Sequence, residues 1–251
     1  GDDDVVSPAN DVIVLADGVD ASQDLGSPSD VVPPPDQVPD TTVVDPPMWE
    51  EFSLGDAGEI SAVFAKSLTA FFAVGDSRVL RWNGAMWAWF GSPADVALKD
   101  VWSGDDVVVV VGSGGSVFRR SVGSMTWVQE ETGTTSDLNG LSGRSSNDLW
   151  AVGDNGTVLH YDGASWSISG EGGGFHLQSV WIKPQTSGAE GVYGVSTGGR
   201  LYTYDGGGWL AQQIASATSV LNDVWGVGEM LIAVGDDGIV TTKNSAGQSW
   251  K

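Results

Sequence analysis

Six polar residues stand at positions where they could do chemistry together. Asp76, Asp154 with Asn155, and Asp236 with Asp237 each follow a short apolar run, and His176 follows the glycine-rich stretch Gly170 to Gly174. Carboxylates, a carboxamide and an imidazole can hold a divalent cation or a basic side chain. Gathered on one face, they would form an acidic mouth for calcium or for a basic partner. Held apart, each Asp would cap its own turn by accepting hydrogen bonds from nearby backbone. No EF-hand spacing is present. His176 has no Asp or Glu at metal-ligand spacing.

The elements that must position these residues form a repeat. Trp49, Trp87, Trp127, Trp166, Trp209 and Trp250 lie 38, 40, 39, 43 and 41 residues apart. Val74, Val111, Val152, Val195 and Val234, each just before a turn, lie 37, 41, 43 and 39 apart. Two rulers thus agree on one period. A period near ~40 with strand-type residues reads as one four-stranded β-propeller blade per repeat.

Leu149 to Trp166 is the clearest copy. The first strand is a Val-Trp phrase, as at Val101-Trp102, Val180-Trp181 and Val224-Trp225, and the second is an Ala-Val-Gly phrase. Asn155-Gly156 and Asp237-Gly238 then supply the positive φ angles of a primed hairpin turn. The third strand alternates, as in Val158 to Tyr161, and a tryptophan opens the fourth. That ring is expected to fill the wide outer wedge between blades, removing roughly 150–250 Å² from water. Trp82 and Trp89 fall outside the register and are expected to be exposed. Turns between strands two and three share a face with the loops linking blades, so the six polar residues should converge there, with Ser113 and Thr197 in the other blades.

The expected fold is an all-β propeller of about five blades spanning residues 48–251. Trp49 to Leu54 is expected to complete the last blade, closing the ring and removing free sheet edges. Residues 1–47 form a separate unit, with 11 Asp, 8 of the 10 prolines, and no Lys, Arg or Trp. Such a stretch cannot bury enough apolar surface to offset the entropy of ordering, so it is expected to be a disordered, self-repelling stalk.

Composition narrows the function. The net charge is −22, which argues against nucleic acid and anionic membrane as partners. The chain has no cysteine, which removes disulfides, thiolate metal sites and Cys nucleophiles. No apolar run reaches the length of a membrane span. No signal peptide is evident, so the chain is expected to be cytosolic or already processed. No phosphate loop or Ser/His/Asp arrangement stands out.

Tyr161-Asp162-Gly163-Ala164-Ser165-Trp166 and Tyr204 to Trp209 resemble the Tyr…Trp half of a kelch repeat. Gly153-Asp154 and Gly235-Asp236 replace the kelch double glycine. Ser245 to Trp250 resembles an Asp-box without its Asp. The repeats therefore resemble those of secreted bacterial propellers of the kelch-like and Asp-box, or sialidase-type, superfamilies. Residues 1–47 resemble the stalk of bacterial surface lipoproteins, without the lipidated cysteine. These resemblances imply a place outside the cell or at the outer envelope, with a lipid anchor upstream of residue 1. A sialidase would also need an arginine cluster, a tyrosine nucleophile and acid/base carboxylates. Arg81, Arg119 and Arg120 instead sit on third strands, and Arg78 and Arg200 near the turns that begin them. His160, on a third strand, reads as a variable surface position.

Three functions follow. The leading expectation is a non-catalytic interaction scaffold for a protein or glycan at the cell surface, with no obligate cofactor and calcium as the candidate ion. A lectin and a divergent glycoside hydrolase are the alternatives. The differing turn residues of the five blades count against five equal sugar sites.

Overall fold

The computed structural model describes residues 58–171, 174–184 and 191–243. The stalk at 1–47, the closing strand Trp49 to Leu54, and Trp250 lie outside the described residues.

Nineteen strands are described, in five antiparallel sheets. Blade one holds β1 (Ala62–Ser67), β2 (Ala70–Gly75), β3 (Arg78–Trp82) and β4 (Trp87–Gly91). Blade two holds β5 (Leu98–Ser103), β6 (Val107–Gly112), β7 (Val117–Ser121) and β8 (Val128–Glu130). Blade three holds β9 (Leu138–Ser145), β10 (Asp148–Gly153), β11 (Thr157–Tyr161) and β12 (Trp166–Glu171). Blade four holds β13 (Leu177–Ile182), β14 (Val192–Ser196), β15 (Arg200–Tyr204) and β16 (Trp209–Gln213). Blade five is described as β17 (Leu221–Val227), β18 (Met230–Gly235) and β19 (Val240–Lys243). Within every sheet the strands run in sequence order. This is the expected all-β propeller of five blades.

The second strands are the core. All five valines of β6 are buried, as is Leu149 to Val152 on β10. A strand covered on both faces needs no polar alternation, which is why Val107 to Val111 is a continuous apolar run. The primed turns form as expected. Asn155 has φ 58° and ψ 25°, Asp237 φ 57° and ψ 25°, and Thr157 N–H donates to the Asp154 carbonyl. Asn and Asp tolerate this left-handed region better than other non-glycine residues.

The turn of blade one differs. Val74 pairs with Val79, whereas Val152 pairs with Val158, so this hairpin is one residue shorter. Asp76 takes the positive-φ position, at 46°, corresponding to Asn155 rather than to Asp154.

Blades meet through large-to-small pairing. Trp102 Nε1 donates to the Gly143 carbonyl of the next blade at 3.1 Å. A Cβ on Gly143 would stand 3.0 Å from the Trp102 ring, and one on Gly226 would stand 2.5 Å from Trp181. The period-marking tryptophans also bridge blades. Trp166 Nε1 donates to Glu130 at 2.7 Å, and Trp209 Nε1 to the Ser169 carbonyl at 3.2 Å. Trp127 stands edge-on to Phe90 at 6.1 Å. Trp87 packs instead on Trp82 of its own blade, leaving Trp82 half-buried, while Trp89 is 55% exposed.

A Gly226→Val substitution forces the extra carbons into Trp181. It should lower unfolding free energy by about 1–3 kcal/mol in urea titrations. Gly208→Ala adds a methyl group where no atom lies within 4 Å and should shift it by less than about 0.5 kcal/mol.

Candidate functional site

The glycine that ends the second strand in four of the five blades sets the candidate face. Gly153 is extended, at φ −169°, so its backbone does not demand glycine. Close approach does: a Cβ there would strike the Asp137 carbonyl, and Gly112 and Gly235 meet Ala97 and Val220 in the same way. The next residue then donates to that carbonyl, Asp154 N to Asp137 O at 2.8 Å and Asp236 N to Val220 O at 3.0 Å. The turn between strands two and three is thereby pinned to the loop that enters strand one. In blade four Ser196 occupies this position and Thr197 N donates to the His176 carbonyl at 2.9 Å.

This pinning builds a polar rim across blades two to four. Asp154 and His176 meet, with Nδ1 3.0 Å from the carboxylate. Asn139 Nδ2 donates to Asp154 at 2.9 Å and to the Leu177 carbonyl at 2.9 Å. Lys99 Nζ donates to Asn139 Oδ1 and to Asp137, both at 2.8 Å. Asp236 is held separately by Asn222 at 2.7 Å. Asn155 is exposed and reaches Ser136 at 3.3 Å, and Asp237 is exposed. Asp76 is exposed in its shorter turn, and its carbonyl accepts from Leu98 N.

Asn139, Lys99, Asp137 and Asn222 escaped sequence reasoning. A signal was present: Leu98-Lys99, Leu138-Asn139, Leu177-Gln178 and Leu221-Asn222 repeat one phrase at the start of the first strand. The buried Leu fixes the register, and the polar neighbour must then face the axis.

Those neighbours line a central cavity of about 460 Å³, bounded by first-strand residues of all five blades. One layer deeper lie Asp100, Ser179 and Asp223. Asp100 accepts from Val101 N and, across the blade boundary, from Leu141 N, both at 2.7 Å. Asp223 accepts from Ser179 Oγ at 2.6 Å and Val224 N at 2.8 Å.

The carboxylates differ in character. Burial pushes the Asp100 carboxyl up to about 7, against its two backbone hydrogen bonds and with help from the Asp223 charge. Burial also raises Asp154, but hydrogen bonds from Asn139 and His176 and the charges of His176 and Lys99 outweigh it, leaving Asp154 below its ordinary value. The Lys99 hydrogen bond, joined by Gly114 N, lowers Asp137. Among the described residues, no three His, Asp or Glu side chains converge as cation ligands.

The remaining candidates lie off the axis. His160 is half-buried, stacks on Trp150 at 4.3 Å and bonds Asp148 at 3.0 Å. Arg119 pairs with Glu130 at 2.6 Å and lies over Tyr161. No arginine lines the central cavity. The arrangement can grip a polar or charged chain segment at the axial mouth. Two carboxylates, Asp100 and Asp223, do share the cavity, but among the described residues no arginine cluster of the kind a sialidase needs lines it.

Fold and rim together define a β-propeller with a polar axial cavity. Two solved structures share the architecture. One, described as "YCF48 bound to D1 peptide", is 15% identical over 78% of this chain and 68% of that chain, with TM-score 0.61. The other, the computationally designed Ika8 protein, is 16% identical over 74% of this chain and 58% of that chain, with TM-score 0.57. No family model and no curated protein matches the chain.

The Asp100 carboxyl ties stability to pH. Between its ordinary value of 3.8 and about 7, the folded chain keeps a proton that the unfolded chain has released. Its contribution is therefore full below about 4 and is lost as pH rises through about 7. Unfolding free energies from urea titrations should fall by an amount on the order of a few kcal/mol between pH 4 and 7 from this group. Asp100→Asn should flatten that slope.

Proposed function

We propose that this protein is a non-catalytic binding scaffold whose axial mouth takes a basic peptide segment of a protein partner. The observation that carries this reading is the rim itself. Asp154 is held ready by Asn139 and His176 beside a cavity of about 460 Å³ that all five blades line. Preorganised acceptors lose little entropy on binding. A net charge of −22 steers basic partners toward the molecule. The likeness to a structure described as bound to a peptide supports the same class of ligand. The Asp- and Pro-rich composition of residues 1–47 supports a place outside the cell or at the outer envelope.

Arrays of basic, neutral and acidic peptides, read with the full chain, test this function. Basic peptides should bind, more weakly as salt rises. Asp154→Ala combined with Asp236→Ala should weaken that binding by about tenfold or more. Unchanged binding in the double variant would remove the axial mouth from the function. Glycan-array binding without peptide binding would make the protein a lectin.

A further inference from the structure

We propose that a second site, on the outer part of the ring where blades one and two meet, binds an oxyanion carried beside an apolar group, and that its source is an acidic peptide. A cavity of about 370 Å³ opens there, with Arg81 and Arg120 in its wall and Trp89, Phe90 and Met125 around them. It shares no residue with the axial cavity.

The two guanidinium groups stand near each other, and among the described residues they, like Arg78 and Arg200, form no ion pair. The sequence carries 33 acidic residues against 11 basic ones, so a carboxylate partner is easy to supply. Arg119 and Arg144 have them, in Glu130 and Asp148, each at 2.6 Å. Arg81 and Arg120 face each other's charge instead. Burial, and then the nearby Arg81 charge, lower the Arg120 guanidinium from its ordinary value.

A structural role accounts for one of the pair. Arg120 is 5% exposed and clamps two blades. Its Nε donates to the Ser124 carbonyl at 2.6 Å, its Nη1 to the Phe90 carbonyl, and its Cζ lies 3.8 Å over the Phe90 ring. Arg81 has no such work. Its Nε is buried and has no hydrogen-bond partner. Its ring contacts are distant, with Cζ 6.0 Å from Phe72 and 5.9 Å from Phe90. A buried donor left unsatisfied beside a second cation is costly, and an anion entering the cavity would relieve both faults.

The shape of the cavity rim selects among anions. Planar guanidinium forks match carboxylate and phosphate alike. Trp89 and Met125, 55% and 87% exposed, add an apolar lip, and Arg78 lies over Trp89 at 5.3 Å. Bare phosphate has nothing to place on that lip. A carboxylate next to a leucine-like side chain fills both parts. A nucleic acid, charged at every residue, would meet far more of the acidic surface's repulsion than a peptide that places a single carboxylate between the two arginines.

The test follows the arginine Nε–H signals by NMR in the full-length protein. The probes are N-acetyl-leucyl-glutamate with its C-terminus amidated, the equally amidated and therefore neutral glutamine analogue, and inorganic phosphate. Only the glutamate probe should shift the Arg81 and Arg120 signals saturably. Arg81→Gln should weaken that response by about tenfold or more, and Arg81→Lys, which keeps the charge but not the fork, should restore only part of it. Thermal melting should fall in neither variant, and removing the unsatisfied Nε donor in Arg81→Gln should if anything raise it, separating lost binding from lost folding. An equal response to phosphate, an equal response to the neutral analogue, or full binding by Arg81→Gln would each overturn the proposal. Failure here leaves the axial mouth unaffected, because the probes and residues differ.

Discussion

Where Trp102 lies over Gly143 and Trp181 over Gly226, neighbouring blades approach until no methyl group fits between them. Everything else in the molecule depends on that contact. A tryptophan offers a broad flat surface, and glycine is the residue that lets a backbone lie directly against it. The pairing sets the distance between first strands. That distance brings Lys99, Asn139, Gln178 and Asn222, which are far apart in sequence, to one cavity. A blade alone is a twisted sheet with one polar residue at the start of its first strand. The ring of blades turns four such residues into a site.

The same geometry creates opposite electrostatic environments within a few residues. Asp154, at the rim, is met by donors from Asn139 and His176 and stays ionised easily. Asp100, a layer deeper, spends its oxygens on backbone N–H groups and faces Asp223, so burial dominates. The rim therefore presents a standing negative charge. The depth of the cavity is closer to neutral in slightly acidic solution. At the outer part of the ring the sign is reversed, with Arg81 and Arg120 crowded by packing rather than by partners. An acidic molecule thus carries a pocket walled by two arginines that shares no residue with the cavity at its axis.

Much of the fold was legible because repetition averages out local ambiguity. One Asp-Asn-Gly turn says little, but the tryptophan and valine rulers together locate five second strands and the turns after them. That turns and interblade loops share a face was legible; that Asp154 and His176 touch there was not. Asn139 and Lys99 were hidden because a polar residue beside a buried Leu looks like ordinary alternation. Asp76 does stand in the turn after its second strand, but one residue fewer in that hairpin puts it in register with Asn155 rather than Asp154. Arg81 and Arg120 looked like separate third-strand positions, which gave no reason to connect them.

By itself the sequence determined the period, the strand phrases and the turns, because each depends on residues within about one repeat of one another. It determined the acidity of the molecule and the absence of thiol chemistry, which are sums over the chain. Only the tertiary structure decided which polar residues share a cavity and which charges lack a partner. Those properties depend on how closely one blade approaches the next. That approach is set by rings meeting glycines some forty residues away, at contacts a linear reading has no means to measure.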